Sequence, residues 1–440
     1  MFGYILILFL AAPSFAHVHR RAVNRNNHPE LLWQTDRAIP FFFGSDFVER
    51  DHPAVLRVIE EIQSRTCLTF KDVSMATGIK QPTIIFVNGS DGCHAMEGKR
   101  PDYRLLAVNL DETVCRERRS YFHELFHVLG LQHTHTRPDR DDYIRFYEKR
   151  TAADWLDQYE KMTEDNSYGV PYDFDSVMHY IPDGTDTLKH EENMKAKNEL
   201  YQFAMGRNVY GAAHSDYLQL NRLYNCFDKC MSVKTTCANG GFVNPNSCQE
   251  CICPRGFAGA SCEDLDYDES VQHRCGGYEY ATDSWKDLDM ELSANVDNIT
   301  CYWFLKASQG KRIEIKLVKV APENQRCTPD TNTWLEVRLG TFEIGGYKFY
   351  CQQQLPERTL TSGDNLAVVT LSQDYDDATQ LKLMHSLRDR LVGHVLRAEA
   401  PYLGPHCSDG SDVLKKTTMR IVESDGNDNK SISIGSCAKE

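Results

Sequence analysis

Six of the chain's sixteen cysteines fall between Cys230 and Cys262, a span of 33 residues, and that crowding constrains the architecture more than any other feature. So short a segment buries too little apolar surface to fold around a core, so covalent cross-links must supply the constraint. It therefore reads as a separate small unit between longer stretches that can build cores of their own. From about Trp33 to Cys226 cysteines are sparse and periodic segments are long, as in a cored α+β domain. From Cys275 to about Leu387 only four cysteines occur, among short strand-like runs. A length of 440 residues fits two to four domains.

An even cysteine count with short spacings points to an oxidising compartment. Residues 1–16 agree with that. Met1 to Pro13 is almost wholly apolar and Ser14-Phe15-Ala16 ends on a small residue, which reads as an export signal too short to span a bilayer. Residues 17–21 end in Arg20-Arg21 and read as a short prosegment before Ala22. No later run reaches membrane-spanning length, so the mature chain is expected to be secreted, with no membrane span. Asn88, Asn298 and Asn429 head sequons that offer glycan acceptors. A net charge of −14 argues against a nucleic-acid partner, which needs a basic face. Arg116, Arg118 and Arg119 are interrupted by Glu117 and read as a solvated loop.

Periodicity places the elements coarsely. Pro82 to Val87 and Leu105 to Leu110 read as strands, rich in β-branched and aliphatic residues. Pro53 to Arg65, Arg119 to Leu129 and Asp216 to Asn225 have helical spacing. Arg312 to Val318, Trp334 to Leu339 and Asn365 to Leu371 alternate as in a β-sandwich. Within Cys230 to Cys262, Asn239-Gly240-Gly241 and Pro254-Arg255-Gly256-Phe257 supply turns, and the six cysteines leave fifteen connectivities open. Residues 388–440 form an unassigned tail in which Cys407 and Cys437 are a natural pair.

The chemistry concentrates in His123-Glu124-Leu125-Phe126-His127-Val128-Leu129-Gly130-Leu131-Gln132-His133. On a helix, His123 and His127 leave the same face one turn apart, so two nitrogens can grip one zinc ion. Glu124 sits one step round, where its carboxylate reaches a water on the metal without ligating it. Gly130 can take the left-handed conformation that ends a helix and turns the chain back. That turn brings His133 within reach as a third nitrogen. Three neutral imidazoles leave one coordination position open, as catalytic zinc sites do. Surface histidines of an ordinary amphipathic helix would not be expected to carry the glycine and third histidine at these offsets.

Together with His135-Thr136-Arg137, Asp139-Arg140-Asp141 and Ser176-Val177-Met178-His179-Tyr180, this run resembles the astacin family of metzincin metalloendopeptidases. The resemblance covers about Ala22 to Cys226. It implies a two-lobed α+β catalytic domain holding one zinc through His123, His127 and His133, with a zinc-bound water activated by Glu124. Met178 would form the turn beneath the metal. The Tyr180 hydroxyl would be a further ligand that swings to stabilise the tetrahedral intermediate. Cys67–Cys226 and Cys93–Cys115 would be its disulfides. His135 and His179 are not expected on the metal, and Arg137, Asp139, Arg140 and Asp141 are expected to form a structural ion-pair network.

Residues 227–263 resemble an EGF-like module, which implies the pairs Cys230–Cys248, Cys237–Cys251 and Cys253–Cys262. The order of EGF-like then CUB also occurs in nematode astacins. The Cys275-Gly276-Gly277 opening, Cys301-Tyr302-Trp303 and Leu335-Glu336-Val337-Arg338 resemble a CUB domain over residues 275–387, implying Cys275–Cys301 and Cys327–Cys351. Where some CUB domains carry a calcium-binding acidic residue this chain has Asn332 and Thr333, so calcium is not expected.

The whole reading is a secreted zinc endopeptidase acting on extracellular proteins or peptides, with extracellular protein partners at the EGF-like and CUB modules. Leu105 to Leu110 is the candidate edge strand for an extended substrate. Two other classes compete: a catalytically silent binding protein, disfavoured by the intact Glu124, and a hydrolase of non-peptide substrates, disfavoured by the methionine turn. One departure from the family pattern stands out. Thr134 replaces the glutamate that follows the third histidine and anchors the mature N-terminus. With so little room for a prosegment, weak latency is expected.

Overall fold

The computed structural model describes residues 25–266, 276–290, 299–318, 333–373 and 417–424, apart from positions 77, 80, 185, 186, 189, 190 and 209. The export signal, the short prosegment, Cys275, Cys327, Asn332, Cys407, Cys437, Asn298 and Asn429 lie outside the described residues.

The first unit opens with β1 (Ile39–Phe43), helix α1 (His52–Arg65), β2 (Phe70–Asp72), β3 (Thr83–Val87), β4 (Cys93–Ala95) and β5 (Leu105–Leu110). These strands make one sheet in the order β2-β1-β3-β5-β4, parallel throughout except for β4, which runs antiparallel to β5. The helical spacing of α1 is borne out: Val55, Val58, Ile59 and Ile62 are all buried, and Pro53 occupies its first turn. Burying each of these side chains contributes about 1.5–3 kcal/mol. They pack with Ile84 and Phe86 of β3, with Leu106, Val108 and Leu110 of β5, and with the inner face of helix α2 (Arg118–Val128).

The basic run before α2 is not a solvated loop. Arg118 and Arg119 form the first turn of α2, Arg118 pairs with Glu61 of α1, and Arg119 donates to the His179 carbonyl at 3.1 Å. Arg116 lies 3.3 Å from Asp51 and 4.7 Å from the centre of the Phe47 ring. The reason is tertiary: each arginine meets a partner from elsewhere in the fold, Glu61 for Arg118, Asp51 for Arg116 and the His179 carbonyl for Arg119.

The second half of the first unit is less regular. Helix α3 (Arg140–Tyr143) runs into β6 (Ile144–Phe146), which pairs antiparallel with β7 (Met194–Ala196). A separate apolar cluster gathers here from Ile144, Tyr159, Tyr172, Phe174, Met194 and Met205. Helix α4 (His214–Leu223) returns to the first core with Tyr217, Leu220 and Leu223. Cys67–Cys226 and Cys93–Cys115 are bonded as the resemblance implied.

The disulfide-rich unit carries the pairs Cys230–Cys248, Cys237–Cys251 and Cys253–Cys262, again as implied. It contains two small hairpin-like pairs, β8 (Phe242–Asn244) with β9 (Ser247–Ile252) and β10 (Phe257–Ala258) with β11 (Asp264–Leu265). His214, at the start of α4, reaches it by donating from Nε2 to the Gly240 carbonyl at 2.9 Å. Burial pushes the His214 imidazole down to about 3. The unfolded chain takes up a proton near pH 6.5 that the native state refuses, so this stability is present above about pH 6.5 and is lost as pH falls towards 3. His214→Gln should therefore show a smaller drop in thermal midpoint than the parent between about pH 7 and about pH 4.5. Parallel curves for the two proteins would exclude the assignment.

The third unit is a two-sheet sandwich. One sheet has the order β12 (Gly277–Tyr280), β14 (Ile299–Lys306), β19 (Leu366–Gln373), β16 (Thr333–Arg338) and β17 (Tyr347–Phe349). The other has the order β13 (Lys286–Met290), β20 (Thr417–Ser424), β15 (Arg312–Leu317) and β18 (Leu360–Thr361). Alternate residues meet between the sheets: Ile313, Ile315 and Leu317 face a core shared with Trp303, Leu305, Leu335, Val337 and Val369. Cys301 and Cys351 are each disulfide-bonded. Within residues 388–440, left unassigned from the sequence, Thr417–Ser424 form β20, which lies between β13 and β15 in the second sheet. Its alternation is only eight residues long and stands far from its partners in sequence, which hid it.

The five-stranded sheet is covered on its second face too. Phe304 and Val368 pack with Phe257, Leu265 and Phe342 against the disulfide-rich unit. Trp334 meets Tyr210 of the first unit at 5.3 Å, and Tyr210 donates to Ser372 at 2.7 Å. No helix among the described residues is long and apolar enough to cross a membrane.

Candidate metal centre and reaction cleft

Gly130 sets the geometry. It adopts φ +96°, its N–H donates to the His127 carbonyl at 2.8 Å, and the Leu131 N–H donates to the Phe126 carbonyl at 2.8 Å. Those two bonds close α2 with a left-handed cap and turn the chain back over the helix end. His133 thereby comes to the face that carries His123 and His127. The three Nε2 atoms stand 3.1 Å from one another.

The far side of two rings fixes which nitrogen is free. His123 Nδ1 donates to the Val177 carbonyl at 2.8 Å, and His127 Nδ1 donates to the Leu131 carbonyl at 3.0 Å. Each Nε2 is then a lone-pair donor aimed at the others. Burial keeps the rings neutral, pushing His127 down to about 4 and His123 and His133 well below the ordinary range. Three converging lone pairs repel unless a cation lies among them. Nitrogens about 2.0–2.1 Å from one tetrahedral ion lie about 3.4 Å apart, close to the observed spacing. The donor set fits zinc, and among the described residues it is the group of this kind that the fold brings together.

Glu124 is buried beside this trio, and its Oε2 has no hydrogen-bond partner. Burial pushes its carboxyl up to about 8. A positive ion within reach favours the carboxylate instead. Met178 is buried, and its carbonyl accepts from the Thr134 N–H at 2.9 Å, which joins the turn to the segment that follows the third histidine. The Tyr180 ring lies 4.3 Å from His133 and 4.3 Å from His135.

The remaining polar residues have partners of their own. His135 is buried and donates from Nε2 to the Gln158 carbonyl at 3.1 Å. His179 donates from Nδ1 to the Tyr180 carbonyl at 2.7 Å and accepts from the Tyr172 hydroxyl at 2.8 Å. Arg137 grips Asp139 through two nitrogens, at 2.9 and 2.7 Å, while Arg140 and Lys161 flank Asp141 at 3.3 and 2.6 Å. Thr134 donates to Ser176 at 2.9 Å, and Ser176 donates to Asp216 at 2.6 Å. A hydroxyl relay ending on Asp216 thus occupies the place where the family pattern has a glutamate.

Leu105–Leu110 is not the edge of the sheet. The short strand β4 pairs with β5 along Cys93↔Leu110, His94↔Asn109 and Ala95↔Val108 and forms the edge instead. The chain after it is pinned to the metal helix by Gly98, which donates to the His127 carbonyl at 2.8 Å. Three residues reading Cys-His-Ala carry no strand periodicity, so the sequence did not reveal them. Nor did it reveal Asp216, or the cavity beside His133 lined by Glu97, Gln132, Thr136 and Asp157.

Comparison with known proteins agrees with this arrangement. The family model described as Astacin (Peptidase family M12A) matches residues 25–225. The chain carries an astacin-family domain. Similar proteins include Zinc metalloproteinase nas-29 of Caenorhabditis elegans, 28% identical over 363 residues that cover 81% of this chain and 66% of that one. Zinc metalloproteinase nas-27 of the same organism is 28% identical over 375 residues, covering 81% of this chain and 85% of that one. This chain thus spans just under two thirds of nas-29. Among solved structures, High choriolytic enzyme 1, a hatching enzyme zinc-protease from Oryzias latipes, aligns at 22% identity with a TM-score of 0.42. That alignment covers 46% of this chain and 98% of the fish protein. In this astacin-family domain the zinc-type trio lies where α2 ends, and the Met178 carbonyl holds the N–H of Thr134, the residue after His133.

Proposed function

We propose that the chain is a secreted zinc-dependent endopeptidase that cleaves extracellular proteins. The observation that carries this reading is the triangle of imidazole nitrogens at 3.1 Å beside the buried, unpartnered Glu124 carboxylate oxygen. His123, His127 and His133 would hold the ion, which supplies Lewis acidity towards the scissile carbonyl and the attacking water. Glu124 takes the proton of that water and later delivers it to the departing amine. Tyr180, positioned against His133, donates to the oxyanion. The free edge of β4 pairs with the backbone of an extended substrate and leads it to the end of α2.

The supporting units fit an extracellular setting. Five described disulfides, three within one short unit, require an oxidising compartment. We read residues 22–226 as the peptidase domain, 227–263 as an EGF-like module, and 275–387 with the 417–424 strand as a CUB-like sandwich. The last two units offer surfaces to extracellular protein partners. The deciding experiment incubates the purified mature chain with an unstructured protein, with and without a zinc chelator. Internal cleavage that the chelator stops and added zinc restores is expected. Chelator-resistant cleavage, or none with zinc bound, would overturn the reading.

A further inference from the structure

A buried cation of the sandwich reaches into the turn that carries Tyr180. Lys348, on β17, is 1% exposed, and its Nζ donates to Asp175, whose side chain is 6% exposed. The same Nζ lies 3.4 Å from the Arg207 carbonyl. Burial works against the ammonium, but Asp175, Tyr350 and Glu336 together more than offset it and raise the Lys348 pKa. Neighbouring contacts reinforce the junction. The Gly345 N–H donates to Asp173 at 3.1 Å, and a Cβ at Gly345 would stand 2.3 Å from the Asp175 Cβ.

Both segments that Lys348 touches are tied to the reaction centre. Asp175 precedes Ser176 and Val177, and the Val177 carbonyl orients the His123 ring. Asn208 donates to the Asp175 carbonyl at 2.9 Å, and Gly206 donates to the Phe174 carbonyl at 2.9 Å. Gly206, at φ +65°, lies so close to the Tyr180 peptide that a Cβ there would be 2.5 Å from its carbonyl carbon. The turn from Phe174 to Tyr180 is thus held at both ends by residues 206–208, and one lysine from another unit clamps the two strips together.

We propose that Lys348 is a positioning residue for peptide hydrolysis: a side chain outside the astacin-family domain fixes the turn that presents Tyr180 and orients His123. The proposal rests on the peptidase reading. Removing the ammonium leaves Asp175 as an unpaired buried carboxylate, and the turn must then move to rehydrate or protonate it. A shift of that kind acts on the chemical step more than on substrate affinity.

The test compares the full-length chain with Lys348→Met, Lys348→Arg, Asp175→Asn and the Lys348→Met/Asp175→Asn double variant, each assayed for bound zinc, kcat and KM. Lys348→Met should keep its zinc and its KM within about twofold, while kcat per zinc falls on the order of tenfold or more. Lys348→Arg should recover part of that loss. The double variant should exceed Lys348→Met, because no charge is then left unpaired. A Lys348→Met protein with a lower thermal midpoint but parental kcat per zinc overturns the proposal and leaves the lysine as interdomain adhesive. If that variant is not recovered folded, Gly345→Ala decides the matter with both charges kept. A kcat loss at full zinc content supports the proposal, and parental kcat overturns it. A parent chain that cleaves no peptide overturns the peptidase reading and this inference with it. An active parent with an indifferent Lys348→Met overturns this inference alone.

Discussion

A Glu124→Gln chain is expected to bind one zinc as the parent does and to hydrolyse peptides at least about a thousandfold more slowly, the upper part of the range for a lost general base. The amide keeps the shape of a side chain that is 3% exposed, so the packing around α2 survives. What it loses is the ability to take a proton. None of the three imidazole nitrogens depends on Glu124 for its orientation: the Val177 and Leu131 carbonyls orient two of the rings, and the Gly130 turn places the third. Metal analysis beside progress curves separates the possibilities. A zinc-free Glu124→Gln protein would make Glu124 part of the metal's support. A fully active one would put the base elsewhere.

The second large effect concerns Tyr180. Its ring packs against both His133 and His135 at 4.3 Å, so Tyr180→Phe retains the packing and deletes only the oxygen. If that hydroxyl acts on charge that develops in the transition state, kcat should fall about a hundredfold, the loss typical of one oxyanion donor, with KM nearly unchanged. Steady-state kinetics on one peptide suffices. An effect confined to KM would move Tyr180 from transition-state stabilisation to substrate binding.

Much of the site was legible because its chemistry is local. Eleven residues from His123 to His133 carry the helix face, the breaking glycine and the returning third histidine, and the fold adds only carbonyls to orient the rings. The large core was legible for the same reason, since Val55, Val58, Ile59 and Ile62 announce one face of α1. What escaped was set by distance or brevity. β4 has three residues and no alternation, so the edge was assigned to its better-patterned neighbour β5. Lys348 and Asp175 are 173 residues apart, and nothing in either stretch marks a charge that will be buried. The basic run at the start of α2 misled because its partners, Glu61 and Asp51 among them, come from distant parts of the chain.

The place of β20 in the second sheet bears on how the protein is made. That strand hydrogen-bonds on one side to β13 and on the other to β15, so these two are joined only through it. Residues 417–424 leave the ribosome after every other described element. Until they do, the nascent chain holds two strands with open hydrogen-bonding edges, the kind of surface that aggregates during synthesis. A chain terminated anywhere before Thr417 would be released with that sheet split in two, however well its astacin-family domain had folded.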